Sequence, residues 1–401
     1  MAKGKESKPH IGIFGRRNNG KSSLINALVQ QEIAIVSDFA GTTTDPVKKS
    51  IELEELGPVV LVDTGGVDDS GELGEKRVKK TLSALKIVDL AVLVVSNNAF
   101  DEPEQKLVKE FLDFDTPFII VHNKSDIQKL HPDKEKSWRD EFKTDVIDFS
   151  ALNNKNPERV IDSMRKYMPE NIYQAKSILG DVLQKGDVVL LITPIDSEAP
   201  EGRMILPQVQ AIRDILDNDC VAVVLKEDEM ESFVKKMSPK PALAITDSQV
   251  FPKADAAIPK DVPLTSFSTM LARHKGDFEN YMRGTPHLAK LKKGDRVLIL
   301  ESCSHHVSCE DIGRVKIPNW LNDYVDEKLD YEIVAGLDDL PHDICDYAMV
   351  IQCGGCVITK KQIVNRLKPA IDAGIPVTNY GMAIAYINGI YERAIAPFVK
   401  E

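Results

Sequence analysis

No stretch of the 401-residue chain approaches the ~18 consecutive apolar residues that a membrane span needs, and the longest candidates, such as Leu90–Val95, have the length of a strand. The N-terminal MAKGKESKPH carries no apolar signal-peptide core, so secretion is not expected and the cytoplasm is. Positive charge is also in short supply: 51 Lys and Arg stand against 62 Asp and Glu, a formal net charge of −11. Clustered Lys and Arg are what hold phosphate backbones, so a large nucleic-acid footprint is disfavoured. Cysteine is sparse too. Six thiols are too few for a disulfide scaffold in a chain of this size, which leaves buried thiols, metal ligands or redox groups. Against these shortages stands an ordinary globular composition, 43% hydrophobic and 28% charged. At about 100–200 residues per domain the length allows two to four domains.

The first 170 residues carry motifs in a fixed order. Ile11–Phe14 reads as a strand and runs into Gly15-Arg16-Arg17-Asn18-Asn19-Gly20-Lys21-Ser22, a G-x-x-x-x-G-K-[ST] loop that opens a helix over Ser23–Gln30. Gly15 and Gly20 let the backbone curl so that its N–H groups, and those at Ser22 and Ser23, face phosphate oxygens. Lys21 is placed for the β- and γ-phosphates and the Ser22 hydroxyl for Mg²⁺. The strand Val59–Val62 ends in Asp63-Thr64-Gly65-Gly66, a D-x-x-G in which Asp63 holds Mg²⁺ through water and the Gly66 amide meets the γ-phosphate. Strands at Leu90–Val95 and Phe118–Val121 follow, the second ending in Asn123-Lys124-Ser125-Asp126. The Asp126 carboxylate can accept two parallel N–H bonds from a guanine edge, which adenine cannot offer. Val146–Phe149 then leads into Ser150-Ala151-Leu152 on the base side. The order of the motifs points to GTP.

This segment resembles the translation-factor-related GTPases of the tRNA-modification and Era type. The resemblance implies an activating K⁺ at Asn18, although Asn also suits a left-handed turn. It implies switch I at Gly41-Thr42-Thr43-Thr44-Asp45, with Thr43 as the second Mg²⁺ hydroxyl. Lys21, Thr43 and Gly66 are then the residues at the reacting phosphate. Val67 stands where many such enzymes carry a water-positioning Gln, so slow hydrolysis is expected. Arg16 and Arg17 are either charge stabilisers or solvated.

Beyond Pro169 a charged helical stretch over Asn171–Gln184 is expected, then strands Val188–Ile192, Cys220–Leu225 and Leu243–Ile245 separated by helices Val209–Leu216 and Glu229–Met237. That is βαβαβ spacing and predicts a small parallel sheet. No phosphate loop follows any of these strands. The loop Pro194–Pro207 is either an interaction surface or a spacer, and Phe251–Pro263 reads as linker or irregular edge. Cys220, inside an apolar run, reads as a buried hydrophobe.

A second α/β unit begins near Phe267, with helix Phe267–Arg273, strands Arg296–Leu300, Tyr331–Val334, Tyr347–Ile351 and Ile375–Thr378, and helices Asn319–Leu329 and Met382–Tyr391. Thr359 and Gln362 form a capping box for a helix reaching about Ala373, with Pro369 placed to kink it. Cys303 lies just past one strand, and Cys353-Gly354-Gly355-Cys356 just past another, at the edge where open α/β sheets place their sites. Two strands can therefore bring three thiols together, and Gly-Gly lets the chain curl around a bulky group. Thiolates suit zinc or an iron–sulfur cluster. His305, His306, Cys309 or no protein group completes the set.

Taken together, the P-loop, the middle α/β module and the C-x-H … C-G-G-C pattern resemble the FeFe-hydrogenase maturation GTPases of the HydF family. The resemblance implies a P-loop GTPase domain over 1–172, an α/β dimerisation domain over 176–264 and a cluster-binding domain with a parallel sheet over 267–401. It implies a 4Fe-4S cluster on Cys303, Cys353 and Cys356 with an exchangeable fourth position, for which His305 is a candidate. The cargo it implies is the diiron subcluster precursor, delivered to the apo FeFe-hydrogenase. Two radical-SAM maturases and a second copy of the chain are the other partners it implies, with no membrane and no nucleic acid. In some members His precedes the C-x-x-C, whereas Gln352 stands here, so that ligand is excluded. The rival reading is a ribosome- or tRNA-associated GTPase with a structural zinc domain. A dithiol oxidoreductase with a regulatory GTPase is a third, and would not need Cys303.

Overall fold

The computed structural model describes residues 8–29, 37–39, 47–53, 56–67, 81–153, 157–169, 177–195, 204–302, 311–335, 340–355 and 358–399. The chain forms two compact units, 1–175 and 176–401.

The first unit is built on a seven-stranded sheet of β1 (His10–Phe14), β2 (Ser37–Phe39), β3 (Val47–Leu53), β4 (Gly57–Asp63), β5 (Leu90–Val95), β6 (Phe118–His122) and β7 (Val146–Asp148). Their order is β2-β3-β4-β1-β5-β6-β7. Parallel pairing runs from β4 through β1, β5 and β6 to β7. All six residues of β5 are buried, as expected of a strand covered on both faces by crossover helices. The core joins Ile11 and Ile13 of β1 to Val92 and Val94 of β5 and to Leu24 and Leu28 of the helix Lys21–Val29. The strands β2 and β3 were not anticipated; β3 pairs antiparallel with β4, and β2 antiparallel with β3. In β3, VKKSIEL, the half-buried Lys48 and Lys49 break the alternation that marks a strand.

The second unit holds two four-stranded sheets. The first has β8 (Val188–Ile192), β9 (Val221–Leu225), β10 (Leu243–Thr246) and β11 (Leu264–Ser266), in the order β11-β10-β8-β9 and parallel throughout. The second has β12 (Arg296–Glu301), β13 (Asp330–Ala335), β14 (Met349–Gln352) and β15 (Val377–Asn379), in the order β13-β12-β14-β15, again parallel. The segment 251–263, read as a linker, instead forms the helix Phe251–Ala257, and the edge strand β11 that follows it was not anticipated. Phe251 and Ala254 are buried, so this face belongs to the core despite its Pro and Lys content. Of the stretch expected to be helical over 171–184, residues 177–184 are turns and the earlier ones lie outside the described residues. The last helix is two, Tyr380–Ile387 and Tyr391–Ile395, broken where Gly389 takes a φ of +70°. The helix expected to reach Leu329 ends at Val325, because Asp326 turns left-handed at φ +53°.

These two sheets share packing. Ala385 and Ala394 of the closing helices lie in one core with Leu190, Ala244 and Phe251. The Thr265 hydroxyl of β11 donates to the Ala394 carbonyl at 2.8 Å. Arg393 donates to the carbonyls of Ile258, Pro259 and Val262. At the opposite edge β9 leaves Val221 51% and Val224 43% exposed.

Candidate nucleotide site and thiol edge

The phosphate loop leaves β1 between its two parallel neighbours, at the carboxyl edge of the sheet. Gly15 has a φ of +143°, and a Cβ there would sit 2.3 Å from the Val94 carbonyl oxygen. A Cβ on Gly20 would meet the Asn123 amide nitrogen at 2.3 Å. No side chain fits either place. Asn18 is exposed with φ +64°, a left-handed turn conformation that leaves its side chain open to solvent. Asn19 does the internal bonding: its amide donates to the Val94 carbonyl at 2.9 Å and its oxygen accepts from the Ser96 hydroxyl at 2.8 Å.

Lys21 is 8% exposed and donates to the Gly15 and Arg16 carbonyls at 3.0 and 2.9 Å. Its ammonium is thus held over the loop by groups that a phosphate can replace. The Ser22 hydroxyl donates to the Asp63 carboxylate at 2.6 Å, which puts two hard oxygen donors of the kind Mg²⁺ prefers side by side. Ser23 is exposed in the first turn of the same helix. Thr64 anchors the D-x-x-G by donating to the Ile13 carbonyl at 2.6 Å. Gly66 abuts the loop closely: a Cβ there would lie 2.9 Å from the Arg17 nitrogen. Thr43 lies outside the described residues.

On the base side, the Asn123 amide donates to the Asn19 carbonyl at 3.0 Å while its oxygen accepts from the Ala151 N–H at 3.1 Å. One side chain therefore ties the phosphate loop to the base loop. Lys124 takes φ +64°. The Ser150 hydroxyl donates to Asp126, fixing the exposed carboxylate. Below them the fully buried His122 donates from Nδ1 to Asp148 at 2.7 Å, while its Nε2 accepts from the Asn98 N–H at 3.2 Å. This buttress was not seen in the sequence.

Arg16 is not a phosphate group here. Its Nε and one terminal nitrogen fork onto Glu104 at 2.7 and 2.5 Å, and the same nitrogen reaches Asp101 at 2.8 Å. Glu104 also accepts from the Asp101 N–H at 2.9 Å, opening the helix Glu102–Asp113. The bonds to Glu104 raise the Arg16 pKa further above its already high value. The D-x-x-E spacing of Asp101 and Glu104, a capping-box pattern not picked out in the sequence, is the signal that could have marked this helix start.

In the second unit β12 and β14 are neighbours with Leu300 opposite Gln352, so the chain just past each strand meets the other. The Ser302 N–H donates to Cys353 Sγ at 3.1 Å, and Ser302 Oγ lies 2.9 Å from the same sulfur. Gln352, fully buried, donates to Ser302 Oγ at 3.0 Å and to the Cys353 carbonyl at 3.1 Å. Gly355 takes φ +62°, and a Cβ there would be 2.5 Å from Ile363 Cδ1. Lys275 donates to the Gly355 and Ile358 carbonyls at 3.4 and 3.3 Å. The arrangement around Cys353 fits an anionic sulfur ligand. Cys303, His305, His306, Cys309 and Cys356 lie outside the described residues. Cys220 is buried as expected and Cys345 is exposed. Among the described residues no group of three or more His, Cys, Asp or Glu is arranged to hold a metal ion, and no helix is long and apolar enough to cross a membrane.

The fold and the loop set together define a P-loop GTPase of the Era-like class. Residues 10–124 match the family model described as a 50S ribosome-binding GTPase. GTPase Der of Campylobacter fetus subsp. fetus (strain 82-40) is 36% identical over 168 residues, covering 41% of this chain and 35% of its own length. GTPase Era of Thermoanaerobacter sp. (strain X514) is 28% identical over 227 residues, covering 53% of this chain and 73% of its own. The solved structure of Aquifex aeolicus Era bound to GDP and AlF4⁻ covers 54% of this chain and 92% of that one at 18% identity, with a TM-score of 0.35. The chain thus spans about a third of the length of the Der relative it matches. Residues 178–276 match the hydrogen maturase F dimerization domain and 279–397 the hydrogen maturase F tetramerization domain. With all three modules in order, the chain belongs to the hydrogen maturase F family.

Proposed function

We propose that the protein is a GTP-hydrolysing scaffold that binds a 4Fe-4S cluster on Cys303, Cys353 and Cys356 and delivers the diiron subcluster precursor to the apo FeFe-hydrogenase. The observation that carries the cluster reading is the pair of Ser302 contacts on Cys353 Sγ at the carboxyl edge of β12 and β14. The Ser302 N–H is a donor to that sulfur, as a deprotonated, metal-bound cysteine needs, and the hydroxyl beside it can add a second. His305 or an exchangeable group completes the fourth position.

In the nucleotide site Lys21 exchanges its loop carbonyls for the β- and γ-phosphates, and Ser22 with Thr43 holds Mg²⁺ while Asp63 binds its water. The Gly66 N–H meets the γ-phosphate, and Asp126 reads the guanine edge with Asn123, Lys124, Ser150 and Ala151 around the ring. Asn18 is the K⁺ ligand, which equal rates in K⁺ and Na⁺ would disprove. The exposed Val221 and Val224 on β9 support pairing with a second copy of the chain. Radical-SAM maturases supply the cargo.

Anaerobically reconstituted protein tests this reading. It is expected to be brown and to hold four irons, with Lys21→Ala losing GTP turnover but keeping iron, and Cys353→Ala doing the reverse. Colourless, zinc-loaded protein would overturn it. The rival ribosome-associated reading draws on the similarity of residues 10–124 to the 50S ribosome-binding GTPases, and predicts RNA binding that weakens steeply with salt.

A further inference from the structure

A deprotonated sulfur at Cys353 is served by a chain of donors that runs one way. The Gln352 side-chain nitrogen is identified by its contact with the Cys353 carbonyl, which can only accept. That nitrogen also donates into Ser302 Oγ at 3.0 Å. With one lone pair of Oγ so engaged, the serine hydroxyl hydrogen is left for Cys353 Sγ, 2.9 Å away. A protonated sulfur can reverse that last bond, since its own hydrogen can point at Oγ. A metal-bound thiolate has no hydrogen, and only the serine can then donate. Ser302 therefore offers one sulfur two hydrogen bonds, one from its N–H at 3.1 Å and one from its hydroxyl. Gln352 and Ser302 are both buried, so water does not compete for the bond between them. The other Gln352 amide atom, Oε1, is buried without a hydrogen-bond partner. A buried amide oxygen left unpaired is costly. Its nitrogen, by contrast, serves the serine and the Cys353 carbonyl and also lies 3.5 Å from Cys353 Sγ itself.

We propose that Gln352 and Ser302 form a donor relay that sets the reduction potential of the cluster through the sulfur of Cys353. Both are positioning residues, and the inference rests on the cluster reading above. Hydrogen bonds to a ligand sulfur withdraw electron density from it and favour the more negative, reduced cluster, which raises the potential. Loading two donors on one of the cysteine sulfurs also makes the iron it binds distinct from the other cluster irons.

The test is an EPR-monitored redox titration of the full-length protein after anaerobic reconstitution, with iron content and resonance Raman of the iron–sulfur stretches on the same samples. Ser302→Ala is expected to keep four irons, shift the midpoint potential to more negative values and move an iron–thiolate stretch to higher frequency. Ser302→Thr, which keeps the hydroxyl, should return both readings toward wild type. Gln352→Leu should shift the potential in the same direction by less, because the serine hydroxyl remains but loses its orienting donor. Ser302→Ala with full iron and an unchanged potential would overturn the proposal. Iron lost from both serine variants, with GTP turnover intact as evidence of folding, would assign the serine to ligand geometry and overturn it equally. Wild-type protein that takes up no iron would remove the cluster reading instead, a result separable at the first measurement.

Discussion

Arg16→Ala removes the cation that lies between the phosphate loop and the helix Glu102–Asp113. The cost is set by what it leaves behind. The Glu104 side chain is 1% exposed, and without Arg16 its carboxylate keeps only the Asp101 N–H. Breaking a buried pair from one side costs roughly 3–5 kcal/mol, because the surviving charge is stranded. Arg16 is itself 25% exposed, so water enters the gap and the lower value of about 2–3 kcal/mol is expected here. For a unit of this size that corresponds to a fall of roughly 5–10 °C in melting temperature. The assay is thermal unfolding of the full chain, following the transition that rises with added GDP. Adding Glu104→Gln to the Arg16→Ala variant removes the stranded charge but keeps an oxygen for the Asp101 N–H, and should recover more than half the loss. Asp101→Asn should move the transition far less, since that carboxylate is 67% exposed. Arg16→Ala melting at the wild-type temperature, or a double variant no better than the single one, would refute the stranded-charge argument.

Three further outcomes follow from other contacts. Burial and the nearby Lys48 push the His10 pKa down from 6.5 to about 4, so the folded state holds this ring neutral. Its contribution is complete above about pH 6.5 and drains as pH falls toward 4; at 1.36 kcal/mol per pH unit, discounted for partial exposure, it is about 1–2 kcal/mol. His10→Gln should flatten the acid limb of the stability profile, and a limb as steep as wild type would count against the assignment. Gly355→Ala should abolish iron uptake while sparing GTP turnover, because it combines a left-handed φ, costing about 1–2 kcal/mol, with an overlap on Ile363; unchanged iron content would show that the loop gives way. Val221→Lys with Val224→Glu on β9 should lower the mass seen by light scattering, and an unaltered oligomer would move the interface elsewhere.

The parts of the molecule that sequence made legible are those where chemistry demands a residue type at a spacing. Gly15, Gly20, Lys21 and Asp63 are read from their motifs, and the parallel strands around them from apolar runs such as Leu90–Val95. The edge strand β11 was missed because three buried residues leave no period to detect, and the helix before it because Pro252 and Lys253 resemble linker composition. The Arg16–Glu104 pair spans 88 positions and the Gln352–Ser302 contact 50. Only strand order brings such residues together, and neither pair forms a local pattern. Thr359 shows the converse, since its capping box with Gln362 is local and forms as read.

The bond from Thr265 to the Ala394 carbonyl closes a loop of 129 residues. A ribosome adding about 5–20 residues per second needs roughly 6–26 s to make that segment. Throughout that interval β11 has been synthesised but the helix that covers it has not, and β9 at the far side is uncovered as well. The nascent middle sheet is therefore open at both edges at once, and a neighbouring nascent chain on the same message could pair with either. Ending that exposure depends on the helix Tyr391–Ile395, whose synthesis sets how long the β11 edge remains available to a second copy.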